Sequence, residues 1–133
     1  MKKEIPTPEK LLRQYCKTIP EWPSNWAISS KQDPAVGQDI VSEMIPFLID
    51  RIQRGRAKGT IKKYASYLAA LGGELIRCLN QDDTERKLSA RQLILKYIDN
   101  EGGPYWKHAS DDLDHERYDS VCRCLYKFMT NQP

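Results

Sequence analysis

The sequence lacks the features of a membrane or secreted protein. It has no apolar run approaching the roughly 18 residues that a membrane-spanning helix needs. Its first six residues, which include Lys2, Lys3 and Glu4, lack the apolar core of a signal peptide. Hydrophobic residues make up 40% and charged residues 29% of the chain, without the bias of disordered or fibrous proteins. We therefore expect one soluble domain of 133 residues with no membrane partner, located in the cytoplasm.

Metal-binding and disulfide patterns are also missing. The four cysteines, Cys16, Cys78, Cys122 and Cys124, form no CxxC pair and show no repeated spacing, so we expect free thiols and no zinc site. In principle, His115 and Asp111 could hold a metal together with Cys122. A solvated histidine on an acidic helix face is the commoner outcome, and we expect no bound metal.

No motif indicates catalysis. The sequence contains no P-loop, no Rossmann glycine pattern, no GxSxG elbow and no HExxH motif. The acids of residues 111–119 resemble paired catalytic carboxylates, but acids at the start of a helix are also routine partners of its dipole. We expect a protein without cofactor that is not an enzyme.

The hydrophobic periodicity predicts an all-α protein, a compact bundle of four to six helices. Thr7, Pro8 and Glu9 form a typical helix start, and the first helix is predicted over residues 8–17. A loop rich in proline and tryptophan is predicted over residues 18–34, and a helical core over residues 35–130. No segment alternates with the period of two that a half-buried strand requires.

The loop contains Trp22 and Trp26, which favour one of two interpretations. Either the tryptophans anchor the loop on the core, or they form an exposed interaction patch. We expect the first, because buried aromatic area dominates packing energetics.

Within the core, an apolar stripe around Ile40 and Leu48 predicts a helix that ends at Gly55. Pro46 interrupts this pattern and predicts either a kink or two helices that meet between Asp39 and Pro46. The strongest helix prediction begins at Thr60, as its N-cap, and continues to Leu79.

Gly72 and Gly73 lie in the middle of that helix. They indicate either a local kink or the close approach of another helix or a bulky side chain. Ser89 with Gln92 has capping-box spacing and predicts a further helix of about three turns. The acids from Asp111 to Glu116 then precede the stripe of a last helix.

Charge is distributed unevenly along the chain. Residues 51–91 hold ten Lys or Arg against four Asp or Glu, whereas residues 99–119 hold two against seven. Six cations fall between residues 51 and 63 around a glycine-bearing turn, and no acid interrupts them. Because the turn precedes a helix, these cations and the free N–H groups there could hold phosphate. The alternative is a solvated turn whose cations point in different directions. The candidate nucleic-acid-binding residues are Arg51, Arg54, Arg56, Lys58, Thr60, Lys62 and Lys63.

A resemblance accompanies this pattern. The segment from Lys58 through Tyr64 to Leu68 and Leu71 resembles the T-I-x-x-Y-x-x-x-L segment of the SAM-like core-binding domain found in tyrosine recombinases and phage integrases. Residues 88–98 resemble the third helix of that domain, and residues 118–129 its fourth. The resemblance implies a SAM-like helical fold that contacts DNA, without the catalytic domain. Residues 71–77 and 101–104 also resemble segments of short bacterial proteins without assigned activity.

The sequence therefore favours a non-enzymatic binding module that contacts DNA or RNA through the basic turn of residues 51–63. The alternative is a protein–protein adaptor or small regulator. Such a protein would bind a basic partner through the acidic stretch of residues 99–119 and the tryptophan loop.

Overall fold

Helices dominate the computed structural model, which describes residues 5–131. Six α-helices and two 3₁₀ turns make up its regular structure, and the only β-type pairing in this range is an isolated bridge between Asp99 and Gly102. The predicted all-α class and helix number are thus confirmed. The helices are α1 (Pro8–Tyr15), α2 (Trp22–Trp26), α3 (Asp33–Gln53), α4 (Lys58–Gln81), α5 (Ala90–Tyr97) and α6 (Asp112–Met129).

The helix α3 is continuous through Pro46, so the alternative of two separate helices is wrong. The side chain of Pro46 is exposed to solvent. The helix ends as predicted at Gly55, which has a positive φ of 80°. Its N–H donates to the Ile52 carbonyl, and the N–H of Arg56 donates to the Arg51 carbonyl. This pair of bonds is a Schellman motif, in which glycine is favoured because it adopts positive φ without strain.

The long helix α4 is packed on its apolar stripe, as its periodicity predicts. Ile61, Leu68, Leu71 and Leu75 are fully buried. The helix begins earlier than expected, however, at Lys58, with Ala57 as the N-cap. The prediction that Thr60 caps this helix is therefore wrong, because Thr60 already lies in its first turn.

The predicted loop of residues 18–34 contains a 3₁₀ turn at Ile19–Glu21 and the helix α2, so its assignment as wholly irregular is wrong. Pro23 does not prevent a helix here, because proline is tolerated in the first helical turn, where its missing N–H would have no partner. Both tryptophans are buried, Trp22 at 6% and Trp26 at 7% exposure. The interpretation of the tryptophans as anchors is confirmed.

The two mid-helix glycines of α4 make room for Trp26. A Cβ atom built on Gly72 would fall under 3.0 Å from this indole ring, and the ring nitrogen donates a 2.8 Å hydrogen bond to the Ala69 carbonyl. The prediction of a bulky side chain against the α4 backbone is confirmed. The helix α2 is thereby fixed across the middle of α4.

The starts of α5 and α6 are capped by their own side chains. Ser89 and Gln92 form the predicted capping box. The helix α5 has eight residues, which is about two turns and shorter than the three predicted. Asp111 caps α6 by accepting a 2.7 Å hydrogen bond from the N–H of Asp114.

A buried ion pair joins the start of α3 to the segment after α4. Asp33, with no exposed surface, accepts a 2.9 Å hydrogen bond from the Arg86 guanidinium. Asn80 and the N–H groups of Ile28 and Ser30 also donate to this carboxylate. The polar cluster therefore fixes the α2–α3 connection to the far end of α4.

No helix in residues 5–131 has the length and apolar character needed to cross a membrane.

Candidate nucleic-acid interface

The backbone at the start of α4 is open. Ala57 has the extended conformation of an N-cap but no side chain that accepts a hydrogen bond. The N–H groups of Lys58, Gly59 and Thr60 thus lack the side-chain acceptor that usually satisfies one of them. A Cβ atom built on Gly59 would meet no heavy atom within 4 Å. An anion can therefore approach these N–H groups directly.

Two of the predicted cations are occupied within the protein. Asp50 forms ion pairs with Arg54 at 2.9 Å and with Arg51 at 3.7 Å. The Arg51 guanidinium also lies 4.7 Å from the centre of the Phe47 ring, and its side chain is only 15% exposed. Arg54 remains 60% exposed. Asp50 thus neutralises part of the charge that the sequence places at this end of α3.

The other four predicted cations, Arg56, Lys58, Lys62 and Lys63, are exposed. In residues 5–131, none of the four forms an ion pair with a carboxylate within 4.0 Å. Lys58 also lies over the Tyr15 ring, with its Nζ atom 5.7 Å from the ring centre. These four charges are consequently available to an external anion.

The cations divide between two sides of α4. Lys58 and Lys62 line a cavity of about 530 Å³ against α1, together with Lys17. Lys63 and Thr60 instead face α6, beside Arg117. Successive residues on a helix are about 100° apart, so Lys62 and Lys63 necessarily point to different sides. Two basic surfaces therefore lie on either side of the turn, and the six predicted cations do not share a single surface.

Three further cations, which lie outside residues 51–63 of the sequence, belong to these surfaces. Lys17 lies beside Lys58 and Lys62, whereas Arg117 and Lys127 of α6 line cavities next to Lys63 and Arg54. They are distant from the basic turn in the sequence, so no local pattern predicts that they lie beside it in space. The sequence signal that relates Arg117 to Lys127 is helical spacing, which puts positions 117, 120, 124 and 127 on one side of α6.

The acidic stretch covers a separate surface at the start of α6. Asp111, Asp112 and Glu116 are exposed there. The hydrogen bond from the Tyr67 hydroxyl is the main influence that lowers the pKa of Asp114, so this carboxylate stays charged at neutral pH. The N–H of Ser110 donates to the Asp114 carboxylate, and the N–H of Asp114 donates to the Asp111 carboxylate. The acids therefore accept hydrogen bonds from backbone N–H groups at the start of α6 and also leave a negatively charged surface there.

His115 is held within this acidic surface. Its Nε2 accepts a 3.1 Å hydrogen bond from the Trp106 N–H, and its Nδ1 lies 3.1 Å from an Asp119 oxygen. These contacts place the proton on Nδ1. In the part of the chain that the structure describes, no three His, Cys, Asp or Glu side chains converge as a metal site would require.

The cysteine thiols are unreactive where they are buried. Burial is the main cause that raises the pKa of Cys122 to about 12, and it also raises the pKa of Cys16. Both thiols are therefore protonated at neutral pH and lack the thiolate that acts as a nucleophile. Cys124 points away from Cys122 and lines a cavity beside α3, as the spacing of two residues on a helix predicts.

Comparison of the chain with protein-family models, with curated proteins and with solved structures finds no match.

Proposed function

We propose that this chain is a non-enzymatic module that binds nucleic acid through the basic turn of residues 51–63. The observation that supports this most directly is the exposure of Arg56, Lys58, Lys62 and Lys63 without carboxylate partners in residues 5–131. Four uncompensated cations within eight residues repel one another, and a polyanion relieves that repulsion. Phosphate contacts of this kind supply most of the non-specific affinity for nucleic acid.

The start of α4 adds to this positive potential. The first turn contains no acid, and Lys58 occupies its first position. A helix N-terminus carries the equivalent of roughly +0.5 charge, so a cation there is unfavourable in the free protein and favourable once an anion arrives. Phosphate would be held by the side chains and by the free N–H groups together.

The resemblance of residues 58–71 to the core-binding domain of tyrosine recombinases points the same way. An all-α bundle with this segment at the start of its longest helix is compatible with such a module. A SAM-like fold and a relation to integrases remain predictions, as does the cytoplasmic location.

Salt dependence of binding tests the proposal. If about four phosphates of duplex DNA are neutralised, the log–log plot of affinity against salt should have a slope near −3.6. Fluorescence anisotropy at three salt concentrations measures that slope. Arg56→Gln should make it shallower by about 0.9, because one phosphate contact is lost.

The matched control is Lys87→Gln, since Lys87 is also exposed but lies in the 3₁₀ turn after α4, away from the basic turn. This variant should leave the slope unchanged. If neither DNA nor RNA binds at low salt, where electrostatic attraction is strongest, the basic turn is only a solvated turn and the proposal is wrong.

A second candidate is an adaptor that binds a basic protein. It is supported by Tyr105 and Leu113, which are 71% and 57% exposed. Tyr105 lines a cavity with Asp111, Asp112 and Glu116, and Leu113 follows Asp112 in the sequence. The tryptophans make no contribution, because both are buried in the core. Binding to a cationic peptide that is weakened by Leu113→Ser and unaffected by Arg56→Gln would favour this function.

A further inference from the structure

Two cavities follow one another along one side of α6. The first, of about 270 Å³, lies between α4 and α6 and is lined by Lys63, Tyr64 and Arg117, among others. The second, of about 610 Å³, lies between the end of α3 and the end of α6. Ser120 of the first and Cys124 of the second are one helical turn apart, so the cavities adjoin. We name the two together the α6 groove.

The rim of the α6 groove is strongly basic. Its charged residues comprise the cations Lys63, Arg117, Arg51, Arg54 and Lys127 and a single acid, Asp50. Asp50 is occupied by its ion pairs with the two α3 arginines. In the described range, Lys63, Arg117 and Lys127 form no ion pair within 4.0 Å, although Asp114 lies near enough to Arg117 for the guanidinium to help lower the pKa of that carboxylate. The groove is therefore a surface for an anion.

Aromatic rings form part of the groove floor. Tyr64 lines the first cavity and Phe128 the second, and each ring is half-buried. Both pack edge-on against the buried Phe47 ring, with centroid distances of 5.6 and 5.7 Å. Phe47 thus fixes the two rings in place, and each leaves part of its surface open to the groove.

We propose that the α6 groove binds single-stranded nucleic acid, with its phosphates on Arg117, Lys63 and Lys127 and its bases against Tyr64 and Phe128. This proposal rests on the proposed function and names its ligand and its further binding residues. Cations along a groove combined with aromatic platforms are the means by which proteins hold single strands. The bases of a duplex are stacked inside the double helix and cannot reach rings on a groove floor.

The length of the basic stretch also fits a short flexible strand. Arg117 and Lys127 are ten residues apart, or ~15 Å along the helix axis, a distance that a few successive phosphates of one strand can span. At the start of α6 the surface becomes acidic, with Asp112 and Glu116 exposed. A rigid duplex that continued past Arg117 would meet these acids, whereas a flexible strand can turn away from them.

The double variant Arg117→Gln/Lys127→Gln tests the phosphate contacts. Fluorescence anisotropy would use an oligothymidine of about twelve nucleotides, its RNA counterpart and a duplex of the same length. The single strand should bind roughly 5-fold or more tightly than the duplex, because each stacked base adds affinity. The double variant should make the single-strand salt slope shallower by about 1.4, for two lost contacts.

The matched control is Lys31→Gln/Lys87→Gln, which removes the same charge from exposed positions outside the groove. If the duplex binds as tightly as the single strand, or if the two double variants give equal slopes, the α6 groove is not the site. The proposed function then still stands provided that Arg56→Gln weakens binding. If wild-type protein binds no nucleic acid at low salt, both proposals fail.

Phe128→Leu tests the aromatic floor separately. It removes the ring but keeps an apolar contact with Phe47, and thermal melting checks that the fold persists. Single-strand affinity should fall roughly 5-fold or more with no change in salt slope, because stacking involves no phosphate. Phe128→Tyr, which keeps a ring, should retain the affinity. If Phe128→Leu and Tyr64→Leu both bind like the wild type, the bases do not stack on this floor.

Discussion

Ala57, the N-cap residue of α4, offers a test of the link between stability and binding. Its φ of −65° and ψ of 154° suit a capping side chain, but alanine has none. Aspartate or serine at this position would accept a hydrogen bond from the N–H of Gly59 or Thr60 without moving the backbone. Both variants should therefore stabilise the folded protein.

The gain can be estimated from helix capping. An N-cap side chain contributes typically about 1 kcal/mol relative to alanine. The carboxylate of Ala57→Asp adds roughly 0.3–1 kcal/mol by its interaction with the helix dipole. For a chain of this length, the entropy of unfolding is roughly 0.28 kcal/mol/K, so Ala57→Ser should raise Tm by about 4 °C and Ala57→Asp by about 5–7 °C. Differential scanning calorimetry measures both values.

The two variants should differ in binding. Ala57→Asp places a negative charge where phosphate would approach, so affinity for nucleic acid should fall and the salt slope should become shallower. Ala57→Ser occupies the same N–H groups without adding charge and should weaken binding less. A rise in Tm with unchanged affinity for Ala57→Asp would show that the start of α4 takes no part in binding. Absence of any rise in either variant would refute the assignment of Ala57 as the N-cap.

Three further variants test the packing and the buried ion pair of the core. Gly73→Ala should stabilise the protein by up to about 1 kcal/mol, because its Cβ would lie at an ordinary 3.5 Å from Trp26 and alanine favours the helix. Gly72→Ala should instead cost about 1–3 kcal/mol by overpacking against the same ring, and equal urea midpoints for the two variants would contradict this packing. Burial, the largest influence, raises the pKa of Asp33, but the hydrogen bonds from Ile28, Asn80 and Arg86 outweigh it and the net pKa is lowered. The charged Asp33 carboxylate therefore contributes fully to the free energy of unfolding above the unfolded pKa of about 3.9, and this contribution is lost as the pH falls through the lowered folded pKa. Asp33→Asn should consequently reduce the loss of stability to urea that the wild type shows below about pH 4.

The sequence predicts most of the helices because their apolar stripes repeat with the helical period. The same reasoning gave close packing at Gly72 as one of two alternatives, since a glycine in a long amphipathic helix indicates either a close neighbour or a kink. It could not identify Trp26 as that neighbour. The contact joins residues 46 positions apart, and no local pattern specifies which large side chain fills the space.

The observed start of α4 at Lys58 differs from the predicted start after Thr60 for a local reason. Thr60 is a good capping residue, and Ala57 and Gly59 are poor signals of a helix start. In the structure the first helical hydrogen bond joins the Ile61 N–H to the Ala57 carbonyl, one turn earlier than a cap at Thr60 allows. With no side-chain cap, the burial of Ile61 and the Schellman turn at Gly55 position this end of the helix.

The candidate site could be predicted only in part. The basic turn is visible as a run of cations, and helix geometry alone separates Lys62 from Lys63 once α4 is placed. The contribution of Arg117 and Lys127 depends on how α6 packs beside α4 and α3. That packing is set by buried residues such as Cys122 and Leu125 on the opposite side of α6, and no feature near the basic turn encodes it.

The two helix starts of this chain use opposite electrostatics. The helix α6 has a capping aspartate and further acids, Asp112 and Asp114, in its first turn, an arrangement that stabilises a helix without any ligand. The helix α4 has alanine at its cap and Lys58 in its first turn, and no acid there. In the free protein the second arrangement stabilises the helix start less, and a bound anion would compensate for the difference. The contrast within one chain therefore supports the proposal that an anion binds at the start of α4 and not at the start of α6.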